Sequence, residues 1–150
     1  HGDFTPGVSR QKLLKAQGYS VAASVCFEIV FGDEIRRDAA EAAWLVNVSN
    51  DGWFGRSIAP HQHFQIARMR ALETNRDLVR ATNTGISALI GADGQIKQRS
   101  PQFKQVVVSG EVRPRQGRTP YVEWGNLPYL MLSGFLILTA ISIRIINSRD

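Results

Sequence analysis

Apolar positions in this chain fall into several short blocks and one long block at the end. Residues 18–26 carry Val21-Ala22-Ala23-Ser24-Val25-Cys26, a run of strand length. A turn follows at Phe31-Gly32-Asp33. The alanine-rich segment 34–43, with Arg and Glu on a polar face, predicts a helix. A compact apolar strand is expected at 44–48, with Asn47 inside it, and then a turn cluster Ser49-Asn50-Asp51-Gly52. Residues 60–76 give the clearest helix, with Pro60 at its start and Arg76 in its last turn. A strand at 78–81 and a turn at Asn83-Thr84-Gly85 come next. Segments 86–90 and 95–98 flank Gly91-Ala92-Asp93-Gly94 as a hairpin. A further strand is expected at 105–112, and 113–126 reads as a linker. Residues 4–14 read as a loop. Strands and helices alternate and then strands dominate, which points to an α/β layered fold with a mixed sheet.

The long block changes the picture. Residues 127–143 contain no charge, and Arg144 is followed by Ile145 and Ile146. A membrane-spanning helix needs roughly 17–25 apolar residues. Arg144 can snorkel to the headgroups, which extends the span to 127–146. Trp124 and Tyr129 stand where interfacial aromatics belong. A buried core helix is the alternative, but Ser133, Thr139 and Ser142 form no polar stripe. Basic residues flank the block on both sides (Arg113, Arg115 and Arg118 before it, Arg144 and Arg149 after it), so charge does not orient the span.

Composition adds limits. The chain has 150 residues, enough for one ordinary domain, and begins at His1 without an initiator methionine or a signal peptide. It reads as a fragment or a processed piece. A formal charge of +5 suits a solvated basic face or an anionic surface. No nucleic-acid motif is legible, so nucleic acid is not expected as a partner.

Cys26 is the only cysteine. It ends an apolar strand and leads at once into a helix-like segment, the layout of an elbow that exposes a nucleophile. The other reading is an inert buried thiol. Glu28 lies two residues on, where a carboxylate can orient a base, bind a substrate amine or favour a helix start. Asn50-Asp51-Gly52-Trp53-Phe54-Gly55 is an aromatic loop after a strand, a place where α/β active sites form. Either the loop borders a site, or it is a turn with one aromatic packed back on the core. His61 and His63 are too few for a metal set, so no metal and no cofactor are expected. A Cys26–His dyad has the right residue types but no spacing that demands it.

Several segments together are specific. Val25-Cys26-Phe27-Glu28, Ser49-Asn50-Asp51-Gly52-Trp53-Phe54-Gly55, His63-Phe64-Gln65, Ala67-Arg68-Met69-Arg70-Ala71-Leu72-Glu73, Arg80-Ala81-Thr82-Asn83-Thr84-Gly85-Ile86-Ser87 and Thr119-Pro120-Tyr121 resemble the nitrilase-like domain of the apolipoprotein N-acyltransferase family. Asp3-Phe4-Thr5-Pro6-Gly7 is similar to that family's Phe-x-x-Gly segment. The resemblance implies the C-terminal part of an αββα sandwich (1–112), a linker (113–126), one transmembrane helix (127–146) and a tail (147–150). It implies Cys26 as nucleophile, the Phe27 backbone N–H as an oxyanion donor, and Glu28 as a further catalytic group. Phe27 stands where some members carry tyrosine, so only the backbone role carries over. The family's general-base glutamate and lysine lie upstream of these residues, and Lys12 and Lys15 do not match that lysine. The fragment alone is therefore expected to be inactive.

The implied activity is N-acylation of the diacylglyceryl-cysteine of lipoproteins, with the acyl group taken from a phospholipid through a Cys26 thioester. Trp53, Phe54 and Asn50 are the expected substrate-binding residues. The implied setting is the bacterial inner membrane, with a monomer whose catalytic domain is periplasmic and whose C-terminus is cytoplasmic. A soluble-type amidase acting on a small amide, or a non-catalytic membrane-anchored fragment, are the competing readings.

Overall fold

The computed structural model describes residues 12–148. The segment from Asp3 to Gly7, Arg149 and Asp150 lie outside the described residues. Six strands form one sheet in sequence order: β1 Leu14–Ala16, β2 Tyr19–Val25, β3 Trp44–Ser49, β4 Leu78–Thr82, β5 Ala88–Ile90 and β6 Ile96–Arg99. The β2–β3 and β3–β4 pairs are parallel and the other pairs antiparallel, so the sheet is mixed. Parallel neighbours need crossovers, and α1 Gly32–Ala39 and α2 Ala59–Thr74 supply them.

The register explains what is buried. Ala22, Leu45 and Leu78 sit side by side on β2, β3 and β4 and face Ile35, Phe64, Ala67 and Ala71 of the two helices. The opposite face is covered only in part. Val21, Ala43 and Trp44 make a small cluster there, while Val25 and Val48 are exposed.

Four sequence expectations are corrected. Strand β1 was not anticipated; it hairpins onto β2 through Gln17 and Gly18, both at positive φ as a tight primed turn requires. The first helix ends at Ala39 rather than at 43, because Ala43 already donates its N–H to Ser20 on β2. The second helix stops at Thr74, with Asn75 in the left-handed conformation as its cap. Arg76 therefore lies beyond the last turn, where it is buried and donates to the carbonyls of Ala42 and Gly117. The strand expected at 105–112 does not form; the segment has no ladder partner, and Val107 is 91% exposed. Three consecutive valines give no alternation to hold a register.

The segment read as a linker is tied down along its length. Arg113 donates its N–H to Asp77, Arg115 to the Ala43 carbonyl, and Thr119 bonds the Glu73 carbonyl at 2.5 Å. Burial opposes ionisation of Asp77, but Lys97 at 2.5 Å and the N–H groups of Arg113 and Ala92 outweigh it and hold its carboxyl below the usual range. A short helix, α3 Pro120–Trp124, puts Val122 into the main core. Gly125, at φ +56, then turns the chain beside the Arg36 side chain. The final helix, α4 Leu127–Asn147, includes Leu127–Ile145, a stretch long and apolar enough to cross a membrane, and none of it is buried. Thr139 and Ser142 bond carbonyls of their own helix, which satisfies these two hydroxyls on its surface.

Candidate active site

Strand β2 ends at Val25, and Cys26 opens a 3-10 helix, Cys26–Val30. Cys26 itself has φ +50. A non-glycine residue held there costs on the order of 1–3 kcal/mol and persists only where its surroundings fix it. The elbow expected from sequence is therefore present, and the thiol is half-buried rather than sealed in the core.

Glu28 reaches back to accept the Val25 N–H at 2.6 Å. This is the backward half of a capping box, so its carboxylate stabilises the start of the elbow. Phe27 is largely exposed, and its N–H belongs to a first helical turn, where no intrahelical acceptor is in reach. Ser49 Oγ lies 3.4 Å from Cys26 Sγ and 2.6 Å from Asp51 Oδ1. Its single hydrogen goes to the carboxylate, the shorter and charged partner, which leaves the oxygen facing the thiol.

Beneath the elbow lies a buried polar group that the sequence reading did not assemble. Ser24, Asn47 and Arg80 occupy one register row across β2, β3 and β4, all on the helix-facing side. Asn47 donates to Ser24 Oγ at 3.0 Å and to the Cys26 carbonyl at 3.3 Å, while its own oxygen accepts from Arg80. Arg80 Nη2 pairs with Asp51 Oδ2 at 3.1 Å, both side chains fully buried. His63, from α2, places Nδ1 3.1 Å from Asp51 Oδ1 and Nε2 3.1 Å from the Cys26 carbonyl. It thus meets the carbonyl of Cys26, not its sulfur, and no Cys–His dyad forms. Burial opposes ionisation of Asp51, yet bonds from His63 and Ser49 and the charge of Arg80 hold its carboxyl below the usual range. Burial lowers the Arg80 guanidinium's pKa, and the charges of Asp51 and Cys26 oppose that shift. The available signal was a charged residue and an amide at inward positions of otherwise apolar strands, which soluble folds bury only when paired.

The loop after β3 is a 3-10 helix, Asp51–Phe54, capped by Asn50, whose Oδ1 accepts from Gly52 at 3.1 Å. Asn83 crosses from the β4–β5 loop, donating to Asn50 and accepting the Asp51 N–H. Gly85 must be glycine, because a Cβ there would collide with the Asp51 carboxylate. The two aromatics diverge. Phe54 packs edge-on against the His63 ring at 6.0 Å, whereas Trp53 is 86% exposed. One aromatic, Phe54, thus packs back as the turn reading expects, while Trp53 faces solvent. His61 is exposed and stands apart from this group. Among the described residues no set of three or more His, Cys, Asp and Glu is placed to hold a metal ion.

A model of the carbon-nitrogen hydrolase family matches residues 4–120. Curated relatives named apolipoprotein N-acyltransferase include one from Methylococcus capsulatus, 49% identical over 90% of this chain and 27% of that protein. Another, from Pseudomonas aeruginosa, is 47% identical over 99% of this chain and 29% of that protein. The Wigglesworthia glossinidia brevipalpis protein is 45% identical over 95% and 29%. The chain thus spans less than a third of the length of these relatives. Among solved structures, a carbon-nitrogen hydrolase from Helicobacter pylori G27 superposes with a TM-score of 0.56 at 17% identity, covering 65% of this chain and 41% of that one. An amidase from Nesterenkonia AN1 gives 0.53 at 21% identity, over 65% and 39%. At these identities the two structures support the fold alone.

Proposed function

Because this chain belongs to the carbon-nitrogen hydrolase family, we propose that it carries the nucleophile of an apolipoprotein N-acyltransferase acting at a membrane. The observation that supports this most is Cys26 held at φ +50 on the elbow, within a chain 45–49% identical to relatives bearing that name.

In the first step a base supplied from outside these residues takes the thiol proton. The thiolate attacks the ester carbonyl of a phospholipid, a C–S bond forms, and the carbonyl π pair moves to oxygen. The Phe27 N–H stabilises that oxyanion. Collapse breaks the ester C–O bond, and the lysophospholipid oxygen leaves with a proton. In the second step the α-amine of a diacylglyceryl-cysteine lipoprotein attacks the thioester. A C–N bond forms, the C–S bond breaks, and the thiolate is regenerated as the amine loses a proton to the base. Glu28 serves this scheme by holding the elbow rather than by touching the acyl group. Asn50 fixes the loop that presents Trp53, and Phe54 closes the site over His63.

The test is mass spectrometry after incubation with an acyl-labelled phospholipid. An acyl adduct on the Cys26 peptide, released by hydroxylamine, is expected; a peptide that stays unmodified while transfer proceeds overturns the thioester. Trp53 is exposed, so Trp53→Ala should change stability by less than about 0.5 kcal/mol while slowing acylation. Parallel losses of stability and activity would instead mean that it serves packing.

The catalytic residues are assigned to the periplasmic side of the inner membrane, with the tail after α4 in the cytoplasm. A span crossed once puts Cys26 and Asp150 on opposite sides. A reporter fused after Asp150 should be active in the form that works only in the cytoplasm. Activity of the periplasm-specific form, with Cys26 also labelled from the periplasm, excludes the crossing.

A further inference from the structure

The acyl-transfer scheme uses the N–H of the peptide between Cys26 and Phe27, but not the carbonyl of that same peptide. The Cys26 carbonyl accepts two hydrogen bonds from buried side chains, His63 Nε2 at 3.1 Å and Asn47 Nδ2 at 3.3 Å. A peptide is planar, and its N–H and C=O point in opposite directions. Two donors fixed on the carbonyl therefore set the direction of the N–H on the other side, and they polarise it as a donor. We propose, on the acyl-transfer reading above, that His63 and Asn47 are positioning residues that aim the Phe27 N–H at the oxyanion.

The surroundings leave these donors little choice. Arg80 donates to Asn47 Oδ1, so the amide nitrogen must face Ser24 and Cys26. The Cys26 carbonyl only accepts, so His63 Nε2 carries a hydrogen in every protonation state compatible with this bond. His63 Nδ1 lies 3.1 Å from Asp51 Oδ1 and 3.0 Å from Arg80 Nη2. A neutral ring accepts there from Arg80, and a protonated ring donates there to Asp51. Nε2 stays on the carbonyl in both states. Phe27 and Phe54 flank the ring, at centroid distances of 6.4 and 6.0 Å.

Two replacements at His63 separate aiming from packing. The amide nitrogen of His63→Gln can take the place of Nε2 and still donate to the carbonyl. That of His63→Asn reaches only the place of Nδ1, so the contact with Asp51 remains and the carbonyl loses a donor. In the protein at its natural length, His63→Asn should slow acyl-enzyme formation about 10- to 100-fold, with the phospholipid KM within about twofold, since an oxyanion donor acts on the transition state. His63→Gln should stay within about fivefold of the parent. Equal losses in both variants, or a loss carried by KM, overturn the proposal.

A second readout does not depend on acyl transfer. With 13C-carbonyl cysteine and 15N-phenylalanine, the Cys26–Phe27 pair gives its own correlation. The Phe27 nitrogen reports hydrogen bonding at the preceding carbonyl, so it should move upfield in His63→Asn and stay in place in His63→Gln. An unmoved resonance in His63→Asn sinks the aiming role. A parent protein that forms no acyl-enzyme sinks the acyl-transfer reading, and the resonance still decides the aiming.

Discussion

Cys26→Ser should reduce acyl transfer by on the order of 10³-fold or more, the scale seen when a covalent nucleophile is removed. A hydroxyl is far harder to deprotonate than a thiol, and only the deprotonated form attacks. The replacement is structurally mild. Serine adopts the same left-handed backbone at the same strain, and the bonds to the Cys26 carbonyl and the Val25 N–H are made by backbone atoms that remain. Thermal unfolding should therefore be nearly unchanged while label transfer from phospholipid to lipoprotein disappears. A serine variant that retains even a tenth of the parent rate removes Cys26 from the mechanism.

Arg80→Met carries the largest expected effect on stability, a loss of about 3–5 kcal/mol, because removing one partner of a buried pair strands the other. Asp51 is fully buried, and its carboxylate would keep only Ser49 and His63. Asn47 would lose the donor on its oxygen. Urea unfolding in detergent measures this, and a loss below about 1 kcal/mol would show that the pair contributes little beyond its own desolvation. Adding Asp51→Asn to Arg80→Met should recover part of the loss, since the stranded charge is gone. The pH dependence has a definite sign. The folded Asp51 carboxyl titrates below the ordinary value of 3.8. Its contribution is complete above that value and is lost as the pH falls through the lower folded one. The Asp51→Asn protein should lose that part of its acid sensitivity.

Much of the sheet and the elbow could be read from local pattern. Residues 18–26 end in Cys26, and the helix around Pro60 announces itself by its proline start. The hairpin around Gly91-Ala92-Asp93-Gly94 is formed by β5 and β6, with Gly94 at φ +74. What escaped depends on contacts between distant segments. Among the described residues the outer edge of β6 is open, yet 105–112 runs past it without pairing, an outcome that no local run of valines states. Asp51, His63 and Arg80 were each visible, but only the register of Asn47 against Arg80 and the packing of α2 bring them together under Cys26. The Trp53 and Phe54 pair shows the same limit. Neighbours in sequence, they take opposite environments because His63 receives one ring and solvent the other.

The tie between the last helix and the sheet domain has a mechanical consequence. A free 14-residue tether would let the catalytic face drift and tumble over the bilayer. Here the tether is moored at Asp77, Ala43, Arg76 and Glu73, and Val122 is seated in the core just before the hinge at Gly125. On the membrane-spanning reading, the last helix is a mast whose foot stands just beyond that seated segment. Its 21 residues make a lever about 30 Å long, so a tilt of roughly 10° at its foot displaces the far end by about 5 Å. Were a bilayer to hold the mast, the height of Cys26 over the lipid surface would follow the angle taken at Gly125, beside the side chain of Arg36.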